Sequence, residues 1–482
     1  MNRILIKDAC IITGNSPKLI ITQGYISIRD GKVTRVEKGS CANPENYDQI
    51  IDATDKIVIP GLLNAHYHSY ANYVKGLAPT VPLEQWMLYI MAQGSVLTAE
   101  DVYWNTLLGA LEMIKTGTTA CIDHLAQGSE ALDAAMQAYS DIGMRATLAP
   151  MISDKPYAAT LPISWDQVPD ELKQDKVPDA DELVNMTIEL LKKWHQEEGR
   201  LQVGFGPSGP QRCSDRLISL CVHNADKYNT ILHSHVLETK AQADTAKFLY
   251  GENMLFHLDK LGFLTPKTTL VHAVWLTDDE IKLAAVRGVT VVHNPASNFL
   301  LGSGIAPINK YRANGVRVAL GTDGANVSGN LSMFDAIRLT SMIHNFSEVN
   351  SENWVKPQEA LNMATIDGAK AFSQKELGTI EPGKTADLVI LDPQGSIVFT
   401  PTNQLLWQIA HGAPADTVDT VLVQGRVIFQ NKKLTALSEN RILEEGVKRG
   451  AKIREMFFHN YKPKVERMAD LVKKLIKKEG VI

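Results

Sequence analysis

The sequence is short of the features that mark several protein classes. Among its 482 residues there are five cysteines, Cys10, Cys41, Cys121, Cys213 and Cys221, with no C-x-x-C pair among them. An odd, scattered set argues against a disulfide framework and against a thiolate metal site. Basic charge is not in excess: 49 Lys and Arg stand against 54 Asp and Glu, a net charge of −5. That balance gives no electrostatic case for nucleic acid or an acidic membrane surface as partner. No apolar run reaches the roughly eighteen residues a membrane-spanning helix needs. The opening MNRILIKDACIITG alternates like a strand and lacks the apolar centre and cleavage site of a secretory signal. The expectation is a reduced, cytoplasmic, globular protein with no membrane or nucleic-acid partner.

What is present is ordinary globular composition, 44% apolar and 21% charged. The length exceeds what one core usually serves, so a large domain with a satellite is expected. Residues 4–58 read as short strands, Ile4–Ile12, Ile20–Ile28 and Val33–Val36, punctuated by Gly14, Gly24 and Gly31. From Pro60 to about residue 375 apolar runs of strand length alternate with helical stretches. Thr119–Ile122, Arg145–Ala149, Val203–Phe205 and Thr268–Val271 are such runs; Val102–Lys115 and Pro357–Phe372 are such stretches. Sustained alternation over that length predicts a parallel α/β array closed into a (β/α)₈ TIM barrel. Strands return at Ala386–Leu391 and Thr417–Val423, so the two β regions are expected to join in one small β-sandwich. The expected organisation is 1–60 and 378–434 for the sandwich, 61–377 for the barrel and 435–482 for a helical extension. In that extension Val465, Met468, Val472, Leu475 and Ile476 fall at helical spacing, and from Asn440 twelve Lys and Arg face six Asp and Glu, an excess read as a solvated face.

In a parallel barrel, catalytic groups gather where the strands end and the βα loops begin. His66 and His68 stand two apart at the end of an apolar run, so both point to one side of a strand. An H-x-H pair suits two ligands of one ion, although a polar strand end can look the same. His233 and His235 repeat the pattern, with Glu238 three residues on in the emerging loop, where a carboxylate could carry protons between water and substrate. His272 and His293 each close a strand, and Asp323 follows one in Gly321-Thr322-Asp323-Gly324. Successive strand ends that each offer a ligand or proton carrier point to a metal-dependent hydrolase. Imidazole and carboxylate without thiolate suit Zn²⁺ first, then Fe²⁺, Co²⁺ or Mn²⁺. No lysine sits at a strand end to bridge two ions, so a single divalent ion is expected.

These motifs together resemble the amidohydrolase superfamily, in the branch that deaminates nucleosides, cytosine-like bases and s-triazines. The resemblance rests on PGLLNAHYH at 60–68, HSHVLET at 233–239, VHAVWL at 271–276, HNPASN at 293–298, GTDGA at 321–325 and GTIEPGKTADLVILD at 378–392. It implies His66, His68, His235 and Asp323 as metal ligands. It also implies His272 as the histidine that hydrogen-bonds the attacking water, Glu238 as proton carrier to the ring nitrogen and leaving group, and Asp323 as acceptor of the water's proton. His233 has no ligand counterpart there and is read as supporting the strand end, with His293 as an outer partner. The implied reaction is hydrolytic deamination of an amino-substituted N-heterocycle by a metal-bound hydroxide, releasing ammonia or an amine. Hydrolysis of a cyclic amide, urea or chloro-substituted triazine is the alternative on the same site. A further alternative is deamination of the methylthioadenosine/S-adenosylhomocysteine type, and a homo-oligomer is expected by analogy with relatives. Departures bear on substrate. Where those nucleoside deaminases carry a glutamate after the first-loop tryptophan, a Gly-Pro-His motif and an arginine, this chain has Gln93-Gly94-Ser95, Gly206-Pro207-Ser208 and Leu148-Ala149-Pro150. Their loss favours a flat free heterocycle, stacked on Trp86 and narrowed by Trp275.

Overall fold

The structure is a computed structural model that describes residues 3–14, 20–173 and 176–478. Strands β1 (Arg3–Ile12), β2 (Ile20–Arg29), β3 (Lys32–Lys38), β4 (Gln49–Asp52) and β5 (Ile57–Pro60) open the chain. The barrel strands follow: β6 (Leu62–Tyr67), β7 (Thr118–Leu125), β8 (Arg145–Ile152), β9 (Leu201–Val203), β10 (Gly206–Pro207), β11 (Leu232–Val236), β12 (Thr268–His272), β13 (Thr290–His293) and β14 (Arg317–Leu320). Strands β15 (Leu388–Leu391), β16 (Val418–Val423), β17 (Arg426–Gln430) and β18 (Lys433–Leu434) close the set.

The two chain ends meet in one continuous nine-stranded sheet, ordered β18-β17-β16-β15-β5-β1-β2-β3 with β4 beside β1. Its seam is the antiparallel pairing of β5 with β15, Val58 opposite Ile390. Alternation in these strands turns Ile4, Ile6, Ile26, Ile28, Val58, Leu388 and Ile390 into a small apolar core of their own. A buried ion pair ties this sheet to the barrel: Arg145 at the start of β8 donates to Asp387 from Nε at 2.8 Å and Nη2 at 3.1 Å.

The protein is an α/β barrel with this small β domain attached. The parallel strands form two runs, β6-β7-β8 with β9 and β10, and β11-β12-β13-β14. The expected fourth strand Val203–Phe205 is broken, because Gly204 N–H donates to Leu148 while Phe205 N–H turns to Ile231, so this position bridges the runs. The ring closes where Asp323 N–H donates to the His66 carbonyl at 3.0 Å. Gly321 makes that closure possible, since a Cβ there would lie 2.9 Å from the His66 backbone nitrogen. The expected helix Pro357–Phe372 is likewise interrupted, into Pro357–Met363 and Gly368–Ala371. Ala364 spends its carbonyl on Leu63 N–H of β6 instead of on the next helical turn.

Two helices, Glu439–Asn460 and Lys462–Lys478, end the described chain. Val465, Ala469, Val472 and Ile476 pack with Leu88 and Tyr89 of the helix Leu83–Gly94. Arg449 donates to Asp101 at 2.8 Å, tying the extension to the helix Ala99–Lys115. The extension therefore braces the first βα loop on one side, while most of its charges other than Arg449 face solvent on the other.

Candidate active site

Six imidazoles crowd the mouth of the barrel. His66, His68, His124, His233, His235 and His272 have ring centroids 4.7–6.0 Å apart in the closest pairings. Three overlapping trios place ligand atoms within 4.8 Å of one another: His66 with His68 and Asp323, His66 with His235 and His272, and His66 with His124 and His233. Hydrogen bonds decide which nitrogens remain open. The Thr269 hydroxyl gives its one proton to the Leu232 carbonyl at 3.1 Å, so it accepts from His233 Nδ1–H at 2.6 Å. His233 Nε2 is then the acceptor for His66 Nδ1–H at 2.9 Å, and His66 Nε2 is left as a bare lone pair. That atom is buried and has no hydrogen-bond partner among the described residues. His68 Nδ1–H donates to the His124 carbonyl and His235 Nδ1–H to the Ser208 carbonyl at 2.6 Å, which frees both Nε2 atoms as well.

These open atoms face one another. Asp323 Oδ1 lies 3.7 Å from His66 Nε2 and 3.3 Å from His68 Nε2, and His68 Nε2 lies 3.4 Å from His235 Nε2. Atoms bound at ~2.0–2.1 Å around a tetrahedral ion stand about 3.3–3.4 Å apart. Burial and the surrounding rings push His66 well below its ordinary value and His235 down to about 3, so both rings are neutral, as ligands must be. The cluster thus fits a divalent metal ion.

The carboxylates diverge. Burial, with Asp323 and Glu84 nearby, holds Glu238 well above the ordinary carboxyl range. Burial also pushes Asp323 up, but the facing His68 and His272 rings and the Ser297 hydroxyl outweigh it, and its carboxyl lies below that range. Ser303 Oγ donates to Glu238 Oε1 at 3.2 Å and Ser297 Oγ to Asp323 Oδ2 at 2.6 Å. His272 donates from Nδ1 to Asn298 Oδ1 at 2.8 Å and turns Nε2 to within 3.6 Å of Glu238 and 3.7 Å of Asp323. Both His272 and Asp323 hold left-handed backbone, φ 67° and 63°. For non-glycine residues such conformations cost on the order of 1–3 kcal/mol and gather at functional sites.

A cleft opens above this centre, lined by Trp86, Glu84, Tyr70, Gln211 and Gln242 together with His68, His235, Glu238, His272 and Asp323. All the residues singled out from the sequence as ligands or proton carriers except His66 therefore line one space, and His66 lies fully buried beneath it. Trp275 does not line it; its Nε1 donates to the Ser303 carbonyl instead. His293 pairs with His344 at 3.3 Å and stands outside the converging trios. Three contributors escaped the sequence reading. His124 closes β7 just beyond the run expected to end at Ile122, and the strand-end rule applied two residues later finds it. Glu84, in the helix Leu83–Gly94, and Gln211, in the loop after β10, carry no such signal.

The amidohydrolase family model matches residues 57–428. The chain is 32% identical to a 5'-deoxyadenosine deaminase of Methanosarcina acetivorans, over 92% of this chain and 97% of that one. It is 33% identical to a 5-methylthioadenosine/S-adenosylhomocysteine deaminase of Thermoanaerobacter pseudethanolicus, over 92% and 98%. Among solved structures, an adenosine deaminase from Xanthomonas campestris with bound zinc superposes with a TM-score of 0.84 at 26% identity, over 94% of this chain and 98% of that one. The chain belongs to the amidohydrolase family and is a hydrolytic deaminase acting on carbon–nitrogen bonds other than peptide bonds.

Proposed function

We propose that the chain is a one-metal aminohydrolase that removes the exocyclic amino group of an adenine-type ring carried by a nucleoside. The observation that carries this reading is the convergence of the open atoms of His66, His68, His235 and Asp323 under a cleft that also holds Glu238 and His272. Those four residues would hold one divalent ion, zinc by the chemistry of the donors. When bound, such an ion supplies a water acidic enough to act as nucleophile, its pKa lowered from about 15.7 toward roughly 7.

The protein's own groups do the rest. Asp323, held ionised by its neighbours, takes the proton of the attacking water. His272, fixed by Asn298, presents Nε2 to that water and orients it. Glu238, whose carboxyl burial holds well above the ordinary range, gives its proton to the ring nitrogen beside the C–NH₂ carbon and makes that carbon electrophilic. Two carboxylates driven in opposite directions are the arrangement expected of a base and an acid sharing one site. A carbon–oxygen bond forms and the carbon–nitrogen bond breaks; one proton of the water passes through Asp323 to the departing ammonia, and the other goes to Glu238, replacing the one it left on the ring nitrogen. Trp86 offers a flat face for the ring.

The relatives named above support a nucleoside, with the ring on a deoxy- or thio-substituted ribose. A free amino-heterocycle is the second reading, favoured by Ser95, Ser208 and Pro150 standing where such relatives carry polar sugar contacts. Ammonia release from 5'-deoxyadenosine, adenosine, adenine and aminotriazines by the zinc-loaded protein separates the two. The nucleosides should show the highest kcat/KM; a clear preference for free bases selects the second reading, and no ammonia from any of them rejects both.

A further inference from the structure

The cleft carries polar groups that deamination does not use. Glu84, in the helix Leu83–Gly94, is 7% exposed and accepts from Thr239 Oγ1 at 2.6 Å through Oε1, which fixes its carboxyl beside Glu238. The Tyr157 hydroxyl holds the Glu84 carbonyl in turn. Gln211, in the loop after β10, is also 7% exposed, and its Oε1 is buried without a hydrogen-bond partner among the described residues. The Tyr250 hydroxyl anchors the preceding Pro210 carbonyl at 3.0 Å, so the Gln211 backbone is held in place. Both side chains line the cleft that holds Trp86 and Glu238.

A buried amide oxygen left open costs stability unless a ligand supplies its partner. Glu238 takes the amidine edge of the ring, the amino group leaves and the remaining ring nitrogens only accept, so a donor to the open Gln211 oxygen must lie on the substituent of the ring. An ammonium group would need an anionic anchor, whereas burial pushes Glu84 toward its neutral form. A hydroxyl both donates and accepts, and satisfies Glu84 in either protonation state.

We propose that Glu84 and Gln211 bind the sugar hydroxyl pair of the substrate. This rests on the nucleoside reading and explains how a chain with Ser95, Ser208 and Pro150 recognises a ribose: the contacts come from the front of the first-loop helix and from the loop after β10.

The test compares kcat/KM for adenosine and 2',3'-dideoxyadenosine, with adenine as a third substrate, in zinc-loaded wild type, Glu84→Gln and Gln211→Leu. Wild type should prefer adenosine by about tenfold or more, the penalty of open buried acceptors. Each substitution should shrink that ratio toward one, and because a ratio is read, lowered overall activity does not mask it. The wild-type ratio stands even where a variant fails to fold. Equal turnover of both nucleosides by wild type overturns the hydroxyl assignment while leaving the nucleoside reading intact. A ratio unchanged in both variants overturns the assignment to these two residues. Turnover of adenine alone overturns the nucleoside reading, and this proposal with it.

Discussion

Replacing His233 by Leu isolates the relay that fixes the tautomer of His66. His233 is fully buried and touches the proposed ion only through His66, whose Nδ1–H it receives at 2.9 Å. Leucine fills the space but accepts nothing, so His66 Nδ1–H loses its partner in a site closed to water. A buried donor left unpaired costs about 1–3 kcal/mol. His66 can escape the cost only by moving its proton to Nε2, which removes the lone pair the ion requires. At 1.4 kcal/mol per decade, metal affinity should therefore fall roughly 5- to 150-fold, in line with the 10–100-fold typical of outer hydrogen-bond partners. Competition for zinc against a chromophoric chelator measures this directly, without reference to turnover. His233→Gln, which can still offer an oxygen to His66, should recover part of the loss. Unchanged zinc affinity in His233→Leu, with an intact fold by circular dichroism, would show that the relay does not set the ligand nitrogen.

Glu238→Gln keeps the shape of the cleft but cannot donate a proton, so it should hold its metal and lose about 10²–10⁴ in kcat; turnover near wild type with metal retained removes Glu238 from the proton path. The raised pKa of Glu238 and the lowered one of Asp323 set a sign for pH dependence: the acid must be protonated and the base ionised. The wild-type kcat/KM should fall on the alkaline side as Glu238 ionises and on the acid side as Asp323 gains a proton. A profile whose alkaline limb persists unaltered in Glu238→Gln assigns that limb elsewhere. Arg145→Leu strands the Asp387 carboxylate, whose side chain is 2% exposed, and should lower stability by roughly 3–5 kcal/mol in urea unfolding; a change under about 1 kcal/mol, the range of exposed pairs, contradicts a structural role for the pair.

Much of the candidate site was legible because one rule governs it. A parallel barrel brings strand ends to one mouth, so His66, His68, His235, His272 and Asp323 could be found from apolar runs and the residue that follows each. The rule says nothing of hydrogen bonds between strands far apart in sequence. His66 and His233 are 167 residues apart, and only the folded ring shows that one sets the tautomer of the other. Left-handed backbone at His272 and Asp323 was hidden for a different reason, since Asp and His adopt it more often than most residues but still only as an exception, and nothing in the sequence marks which ones do. Cleft walls were the least legible part. Glu84 takes its direction from Thr239, 155 residues away, and Gln211 from a loop whose path depends on Tyr250. The C-terminal helices showed their apolar spacing plainly, but their docking on Leu88 and Tyr89 depends on where the first βα loop folds.

The claim on which the rest depends is that one divalent ion, held by His66, His68, His235 and Asp323, is needed for hydrolytic deamination. Chelator-stripped protein titrated with zinc, with ammonia release from 5'-deoxyadenosine followed at each addition, tests it in a single curve. Activity should start near zero, rise linearly and break at one equivalent per chain. A break at two equivalents, or ammonia release that is indifferent to zinc, contradicts it.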